Sequence, residues 1–249
     1  MQNEESFLFR VLERPLAEYL CESYLHRCDS LLTVSPGLAQ AYQEEYNVEM
    51  EVIFSAPIFH DLPIRTQRDG LIRMVHHGNA NRNRGLENMI EITRRLGREY
   101  TLDLYLVGSK KQIQYLKRCA DGCSRVRILA PVKLSDIVPM LNGYDVGLYY
   151  LEPNGFNVTY NLPNKLFEFV QARLAIAIGP SPNMSELVSA YDCGFVAKTF
   201  TLHSMVSTLS ALDREAILSA KRGSDAAAKE LCFENEGRKI VSIIEKMLN

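Results

Sequence analysis

The sequence predicts an α/β fold in which a Rossmann-like, doubly wound parallel sheet follows a partial second α/β domain. From about residue 71 onwards, short apolar runs alternate with amphipathic stretches, and strands that alternate with helices of roughly 10–15 residues are typical of βαβ units. Right-handed crossovers between such strands place helices on both faces of a parallel sheet. Apolar residues make up 47% of the 249-residue chain and charged residues 23%, a balance typical of a folded protein with a large core.

The predicted sheet has six strands, and most of them are followed by a helix. The strands cover residues 71–76, 101–107, 125–128, 145–149, 175–178 and 194–196. The helices cover residues 86–96, 110–120, 135–141 and 164–172, and two or three more close the chain within 202–212, 214–231 and 235–248. The helices show apolar residues at helical spacing, whereas the strands are short apolar runs.

The first 60 residues show a different pattern. We expect a helix, a strand, a second helix and a second strand over residues 12–28, 30–34, 36–46 and 51–54. Ser35 can cap the second helix, and Pro36 suits its first turn. Two βα units do not make a self-sufficient sheet, and residues 57–68 have the prolines and charges of a linker. We therefore expect residues 1–58 to be the end of a preceding domain and residues 59–249 to form a domain of their own.

Charge and hydropathy exclude several classes of protein. Lysine and arginine number 28 against 30 aspartates and glutamates, so the net charge is -2 and a broad surface for nucleic acid is not expected. No apolar run approaches the roughly 20 residues of a membrane-spanning helix, and the N-terminus lacks the apolar core of a secretory signal. The cytoplasm is therefore the expected compartment. The six cysteines lack zinc-site spacing, and the chain is too long to need disulfides, so no metal is expected.

Three loops follow predicted strand ends, where open α/β sheets bind ligands. The first, residues 76–87, carries two glycines, including Gly78, and the arginines Arg82 and Arg84 before a helix. Glycine allows close approach of the backbone, and arginines near a helix N-terminus favour phosphate. An ordinary loop with solvated arginines is the alternative. The second loop begins at Gly108 and could face the same cleft, although its two lysines are typical of a solvated pair.

The third loop, residues 152–168, is long for a βα connection, and long loops in compact domains are usually functional. Pro163 is well placed to open the next helix. Glu168 lies one turn into that helix beside apolar neighbours, where its carboxylate could accept two hydrogen bonds from a ribose diol. A solvated or structural glutamate is the alternative that these residues leave open.

The order of these motifs resembles that of one enzyme family. Residues 161–169, Asn-Leu-Pro-Asn-Lys-Leu-Phe-Glu-Phe, resemble the Leu-Pro-x-Lys-x-x-Glu helix start of retaining GT-B glycosyltransferases, the glycosyl transferases group one. Arg84 and the glycine after it match the basic residue and glycine of that family's first donor-domain loop. Residues 30–35 with the following helix resemble the end of its N-terminal domain, and residues 145–149 resemble its strand before the donor loop.

The resemblance covers about residues 10–249, and it implies the GT-B fold and transfer of a sugar from a nucleotide diphosphate sugar with retention of anomeric configuration. Residues 1–58 would be the remnant of the acceptor-side domain, and residues 59–249 would be the donor-binding domain. The donor would be a UDP-sugar or a GDP-sugar, with no further cofactor and no metal. The acceptor would be a carbohydrate or a lipid-linked molecule, as in polysaccharide biosynthesis. A separate N-terminal domain or subunit would complete the enzyme.

The resemblance also implies roles within the donor site. Glu168 would hold the ribose hydroxyls, Arg84 the diphosphate, and backbone groups near Val132 the base. The loop over residues 155–161 would approach the sugar and the phosphates. The expected donor-binding residues are Gly78, Asn79, Arg82, Arg84, Gly108, Val132, Asn157, Tyr160, Asn161, Lys165, Leu166 and Glu168. No catalytic residue is identified, because no separate general base is apparent.

Several positions depart from the family's pattern. Many members carry two glutamates eight positions apart, but Tyr160 stands at the earlier position. An arginine often follows the first-loop glycine, whereas here that residue is Asn79, so Arg82 is the candidate for the second charge. His76 and His77 lie near the site, and we expect one of them to pack and the other to be solvated. The family's glycine-rich N-terminal loop has no counterpart.

Two other functions fit the same residues. A non-catalytic nucleotide-sugar-binding subunit, or an inactive remnant, would explain the missing acceptor-side motifs. A GT-B-fold epimerase acting on a UDP-sugar would need catalytic carboxylates from two domains, and these are not visible. For a transferase with a lipid-linked acceptor, peripheral attachment at the inner membrane face is the alternative to a free cytoplasmic protein.

Overall fold

The computed structural model describes residue 7, residues 9–66 and residues 69–248. Two short strands, β1 (Leu32–Thr33) and β2 (Glu51–Val52), pair in parallel and precede a six-stranded parallel sheet. The strands of the larger sheet are β3 Ile72–Asn79, β4 Tyr100–Val107, β5 Val126–Leu129, β6 Val146–Tyr149, β7 Ala175–Ile178 and β8 Gly194–Val196.

The order of the large sheet is β5-β4-β3-β6-β7-β8, and every neighbouring pair is parallel. From β3 the chain builds towards one edge, and from β6 it builds towards the other. The two central strands are therefore the point at which the order of strands reverses, and ligands of doubly wound sheets bind at the carboxyl ends of such strands. The predicted fold class, a Rossmann-like parallel α/β sheet with a partial second α/β unit, is confirmed.

Helices cover both faces of the large sheet. Those of the described residues are α1 Arg14–Tyr24, α2 Pro36–Tyr46, α3 Leu86–Arg95, α4 Lys110–Ala120, α5 Ile137–Leu141, α6 Phe156–Thr159, α7 Asn164–Gln171, α8 Pro182–Ala190, α9 Leu202–Ser210, α10 Arg214–Glu230 and α11 Phe233–Leu248. Within this part of the chain, no helix is both long and apolar enough to span a bilayer.

Most predicted elements agree with the structure to within two residues. The prediction missed α8 and the single-turn α6, and the helix expected over 135–141 is a 3-10 turn, Leu134–Asp136, followed by α5. The bounds of α4 agree fully, because Ser109 and Gln112 form a capping box that defines its start in the local sequence.

Side chains that alternate along the strands fill two cores, one on each face of the sheet. Met74, Leu102 and Leu148 pack beneath α3, α4 and α9. Val75 and Ile176 lie on the opposite face, which α5, α7 and α8 cover. All of these side chains are fully buried. Because strands covered on both faces are apolar throughout, β7 reads Ala-Ile-Ala-Ile without a polar position.

The N-terminal unit differs from its prediction. The strands expected over 30–34 and 51–54 shrink to the two-residue β1 and β2, which pair with each other alone among the described residues. The helix expected over 12–28 divides into a π-helical turn, Phe9–Glu13, then α1 and a 3-10 turn, Leu25–Arg27, and α1 has no buried residue. Helix α2 has its predicted bounds, and Ser35 Oγ accepts a hydrogen bond from the Leu38 backbone at 3.4 Å.

A strap formed by residues 53–66 joins this unit to the large sheet. The linker predicted over 57–68 has no helix or strand over 57–66, and its last two residues lie outside the described part. Its backbone is nevertheless held by side chains of the large domain. The hydrogen bonds to the strap include those from Phe54 N to Glu236 Oε2 at 2.8 Å, from Phe59 N to Glu234 Oε2 at 2.9 Å, from His60 N to Gln171 Oε1 at 3.0 Å and from Arg173 Nη2 to His60 O at 2.8 Å.

Candidate functional site

A cleft of about 480 Å³ opens at the carboxyl ends of β3 and β4, beside the loop that follows β6. Its volume lies in the range of small-molecule sites. One end is polar and is lined by His77, Gly78, Asn79, Arg84, Asn161, Asn164, Lys165 and Glu168. The other end is mainly apolar and is lined by Tyr105, Val107, Pro131, Val132, Leu134 and Ile137.

Lys165 supplies one of two cations at the polar end. It lies in the first turn of α7, and its ammonium stands 5.3 Å above the centre of the Tyr149 ring. The side chain keeps a part-exposed surface towards the cleft but is otherwise surrounded by protein. Burial, and then the nearby charge of Arg84, lower the pKa of Lys165 to about 8, although Glu168 acts in the opposite direction. An anion bound at this end would favour the charged form of the lysine.

The loop after β3 supplies the second cation. It forms a 3-10 turn, Arg82–Arg84, and Gly85 has the left-handed φ of 56° from which α3 begins. Arg84 lines the cleft. Arg82, two residues earlier, points away, and its guanidinium stacks 5.2 Å from the centre of the Tyr115 ring on α4. Arg84 and Lys165 are therefore the two basic residues that line the cleft in the described chain.

Glu168 faces His77 across the polar end. His77 Nε2 lies 3.0 Å from Glu168 Oε2, and the two side chains are only 10% and 17% exposed. The two atoms are within hydrogen-bond distance, although the geometry of a hydrogen bond is not met. The edge of the His77 ring packs against Phe169 at 5.8 Å between centroids. A carboxylate held in this way has lone pairs left for ligand hydroxyls.

The two neighbouring histidines of β3, His76 and His77, differ in their surroundings. His76 is buried, and its Nδ1 lies 2.8 Å from the Leu148 carbonyl oxygen. Burial, together with the charge of Lys165, lowers the pKa of His76 well below its ordinary value, so it is a neutral packed side chain. The expectation that the other histidine is solvated was wrong, because His77 turns inward to Glu168.

A hydrogen-bonded network supports the apolar end. The Tyr105 and Tyr144 hydroxyls are 3.0 Å apart, and Tyr144 donates to Asp103 Oδ2 at 2.6 Å. Arg127 Nε donates to Asp103 Oδ1 at 2.7 Å. Sequence reasoning missed these residues, although Asp103 and Tyr105 alternate with buried leucines along β4.

Two buried polar atoms around the cleft, the Tyr149 hydroxyl and Asn161 Oδ1, lack a hydrogen-bond partner of good geometry in the described structure. Burial raises the pKa of Tyr149, while Asn161 and Arg84 lower it, so these groups lie together. Because buried polar groups are normally hydrogen-bonded, their concentration at one cleft favours a ligand that would satisfy them.

The structure brings seven of the twelve predicted donor-site residues into the cleft wall: Gly78, Asn79, Arg84, Val132, Asn161, Lys165 and Glu168. The other five lie elsewhere. Arg82 stacks on Tyr115 of α4. Gly108 packs against Ala80, Asn157 lines a groove beside α1 and α2, Tyr160 covers Gly37 and packs on Phe156, and Leu166 is in the core.

Comparison with known proteins gives matches at the level of structure. No protein-family model matches the sequence, and no curated protein does either. The solved structures that resemble this chain include the glycosyltransferase WaaG, involved in lipopolysaccharide biosynthesis, with a TM-score of 0.69 and 13% identity. They also include TarM of S. aureus in complex with UDP, with a TM-score of 0.71 and 15% identity. The pneumococcal O-GlcNAc transferase GtfA in complex with UDP and GlcNAc has a TM-score of 0.72 and 13% identity.

These alignments take in nearly the whole chain but only part of each neighbour. They cover 94%, 94% and 93% of this chain, and 69%, 45% and 47% of WaaG, TarM and GtfA respectively. At such low identities the likeness is evidence about the fold. The chain has the Rossmann-like parallel α/β fold found in GT-B glycosyltransferases.

Proposed function

We propose that the cleft binds a nucleotide diphosphate sugar and that the chain supplies the donor side of a retaining glycosyl transfer. The observation that carries this proposal is the arrangement of Arg84, Lys165 and Glu168 at the polar end of one cleft, next to an apolar slot. The two cations suit a diphosphate, the carboxylate suits a ribose diol, and the apolar wall suits a base.

The diphosphate fits between Arg84 and Lys165. Charge-assisted hydrogen bonds to phosphate are strong, and an arginine adds a planar pair of donors. Helix α7 begins at Asn164, directly beside these cations, and a helix N-terminus adds positive potential and free N–H groups. The same groups would stabilise the charge that develops on the departing diphosphate during sugar transfer.

The nucleoside then extends towards the apolar end. Glu168 would accept the ribose hydroxyls, and backbone groups near Val132 would meet the base. We propose UDP as the nucleotide part of the donor, with GDP as the second choice, because TarM and GtfA were both solved with UDP. The acceptor we propose is a carbohydrate or a lipid-linked molecule, bound with a second domain or subunit, because transfer needs both substrates held in one geometry.

A non-catalytic nucleotide-sugar-binding subunit is the second candidate, and one observation favours it. Tyr160 replaces the first of the two glutamates that the resembling family often carries, and its ring packs on Phe156 at 4.7 Å, away from the cleft. A chain of this kind would bind the donor with the residues described above but would not turn it over.

The test is a thermal-shift titration of the chain with uridine, guanosine, adenosine and cytidine diphosphates, followed by UDP-sugars. Ligand at 100 times its dissociation constant stabilises the folded state by about 2.7 kcal/mol, so UDP should raise the melting temperature clearly. No shift with any nucleoside diphosphate at millimolar concentration would contradict the proposal. Binding without release of UDP, even with added acceptors, would favour the non-catalytic subunit.

A further inference from the structure

The side chain of His77 is held more firmly by its surroundings than the side chain of Glu168, which it faces. His77 lies within β3, where it pairs with Tyr105 of β4, and only 8% of the residue is exposed. Its ring packs edge-on against Phe169. Glu168 instead projects from α7 on a side chain with three rotatable bonds, so its carboxylate needs a contact to define its direction.

Among the described residues, the one side chain that lies at ion-pair distance from the Glu168 carboxylate is that of His77, whose Nε2 is 3.0 Å from Oε2. The charged and titratable groups around this pair are Arg84, Lys165, His76 and Tyr105. A carboxylate left to itself there would turn towards the cations. Its Oε2 instead lies 3.0 Å from His77 Nε2.

We propose that His77 is a positioning residue, which holds the Glu168 carboxylate in the orientation that receives the ribose hydroxyls of a nucleotide. The inference rests on the proposed function, because it takes Glu168 to be the ribose contact. With Oε2 close to the imidazole, Oε1 and the remaining lone pairs of Oε2 would be left for the ligand hydroxyls. The 3.0 Å separation places the carboxylate and the imidazole within reach of a hydrogen bond.

The test compares two ligands, UDP and 2′,3′-dideoxyuridine diphosphate, which differ only in the ribose hydroxyls. The ratio of their affinities, measured by calorimetry, reports the contact between Glu168 and the diol. For the unchanged protein we expect UDP to bind about tenfold or more tightly, the effect of hydrogen bonds to a charged group. The reference variant Glu168→Leu should bring the ratio to about one.

The variant His77→Leu should reduce the ratio to about threefold or less while changing the affinity for the dideoxy ligand less than about twofold. His77→Gln retains an N–H donor and should recover most of the ratio. His76→Gln is the matched control, since His76 is a buried neighbour whose Nδ1 is hydrogen-bonded to the Leu148 carbonyl instead. It should lower the melting temperature and leave the ratio unchanged. A purely structural role for His77 would weaken both ligands equally.

The outcomes separate this inference from the proposal on which it rests. If UDP binds with a high ratio that His77→Leu leaves unchanged, the positioning role is overturned and the proposed function stands. A ratio near one in the unchanged protein would overturn the ribose role of Glu168 and this inference together. If His77→Leu does not fold, the ratios of UDP affinity to dideoxy-ligand affinity in His77→Gln and His77→Asn are compared instead. The Asn amide is too short to reach Glu168, so a lower ratio in His77→Asn supports the positioning role and equal ratios overturn it.

Discussion

The ammonium of Lys165 lies over Gly78, 2.9 Å from the position that a β-carbon on Gly78 would occupy. Gly78 also has a φ of 135°, which residues with a side chain rarely adopt. The glycine at the end of β3 therefore does two things at once. It permits the turn of the chain and leaves the space in which the cation stands.

We expect Gly78→Ala to weaken UDP binding about tenfold or more, because the new methyl group displaces Lys165 and strains the backbone by about 1–3 kcal/mol. Gly122→Ala is the control, since Gly122 also has a positive φ, 75°, but nothing lies within 4 Å of an added β-carbon. Both variants should lose stability, and only Gly78→Ala should lose affinity in a calorimetric titration. Equal UDP affinities for the two variants would contradict the role given to this contact.

The roles of Arg84 and Glu168 should be distinguishable by comparing the binding of UDP with that of uridine. Arg84→Ala should weaken UDP by about 1.5–3 kcal/mol, the value of a hydrogen bond to a charged group, and should affect uridine far less. Glu168→Ala should weaken uridine and UDP alike, because both carry the ribose diol. Calorimetry with the two ligands checks this, and an equal effect of Arg84→Ala on both would remove the phosphate assignment.

UDP affinity should fall above pH 8. The pKa of Lys165 in the empty cleft is lowered to about 8 by burial and by Arg84, whereas a bound diphosphate favours the charged lysine. Below pH 8 the lysine is already protonated, but above it binding must take up a proton, so the dissociation constant should rise by up to about tenfold per pH unit. Titrations at pH 7, 8 and 9 measure this slope. Lys165→Met should bind UDP more weakly at pH 7, and its dissociation constant should depend less on pH. An unchanged pH dependence in that variant would exclude Lys165 as the source of the effect.

The free energy of unfolding should rise between about pH 8 and pH 10, in part through Lys221. This lysine is buried and donates to the Tyr144 carbonyl at 2.7 Å, and burial lowers its pKa to about 8 despite Asp145. In the unfolded chain its pKa is about 10.4, so in that window the unfolded state binds a proton that the folded state lacks. The expected slope is up to about 1.4 kcal/mol per pH unit for each such lysine.

Urea unfolding at pH 7.5 and 9.5 measures this slope. Lys221→Met should remove a large part of it, while Lys165, whose pKa is shifted in the same direction, keeps the remainder. Lys117→Met, a substitution on the surface helix α4, should leave the slope unchanged. A Lys221→Met protein with the full slope would show that the buried lysine does not titrate in this range.

Limited proteolysis should begin in α1 and spare the strap of residues 53–66. Helix α1 has no buried residue, whereas the strap is held by Gln171, whose amide also donates to Ala228 O and Leu231 O. Gln171→Leu would leave these buried groups unpaired at a cost of about 1–3 kcal/mol and expose the strap to cleavage. Mass spectrometry of the fragments identifies the first sites, with Gln40→Leu on α2 as the exposed control. First cleavage within the strap of the unchanged protein would contradict this account.

Sequence patterns predicted those elements whose signals are local. The capping box of Ser109 and Gln112 and the unbroken apolar run of β7 lie within a few residues of the structures they produce. Helix α8 was missed because its Ser181 start has no side-chain cap and its buried face mixes Asn183 with apolar residues. The N-terminal strands were predicted too long, because strand length depends on the partners available for pairing.

The convergence of Arg84, Lys165 and Glu168 followed from the sequence, because loops after parallel strands meet at one edge of the sheet whatever their separation along the chain. The direction of each side chain did not follow. Arg84 and Arg82 are two residues apart, yet a 3-10 turn sends one into the cleft and the other onto Tyr115. The pairing of His77 with Glu168 likewise arises only when β3 and α7 pack together. Motif spacing specifies which loops carry the chemistry, whereas packing between distant elements decides which atoms of those loops face one another.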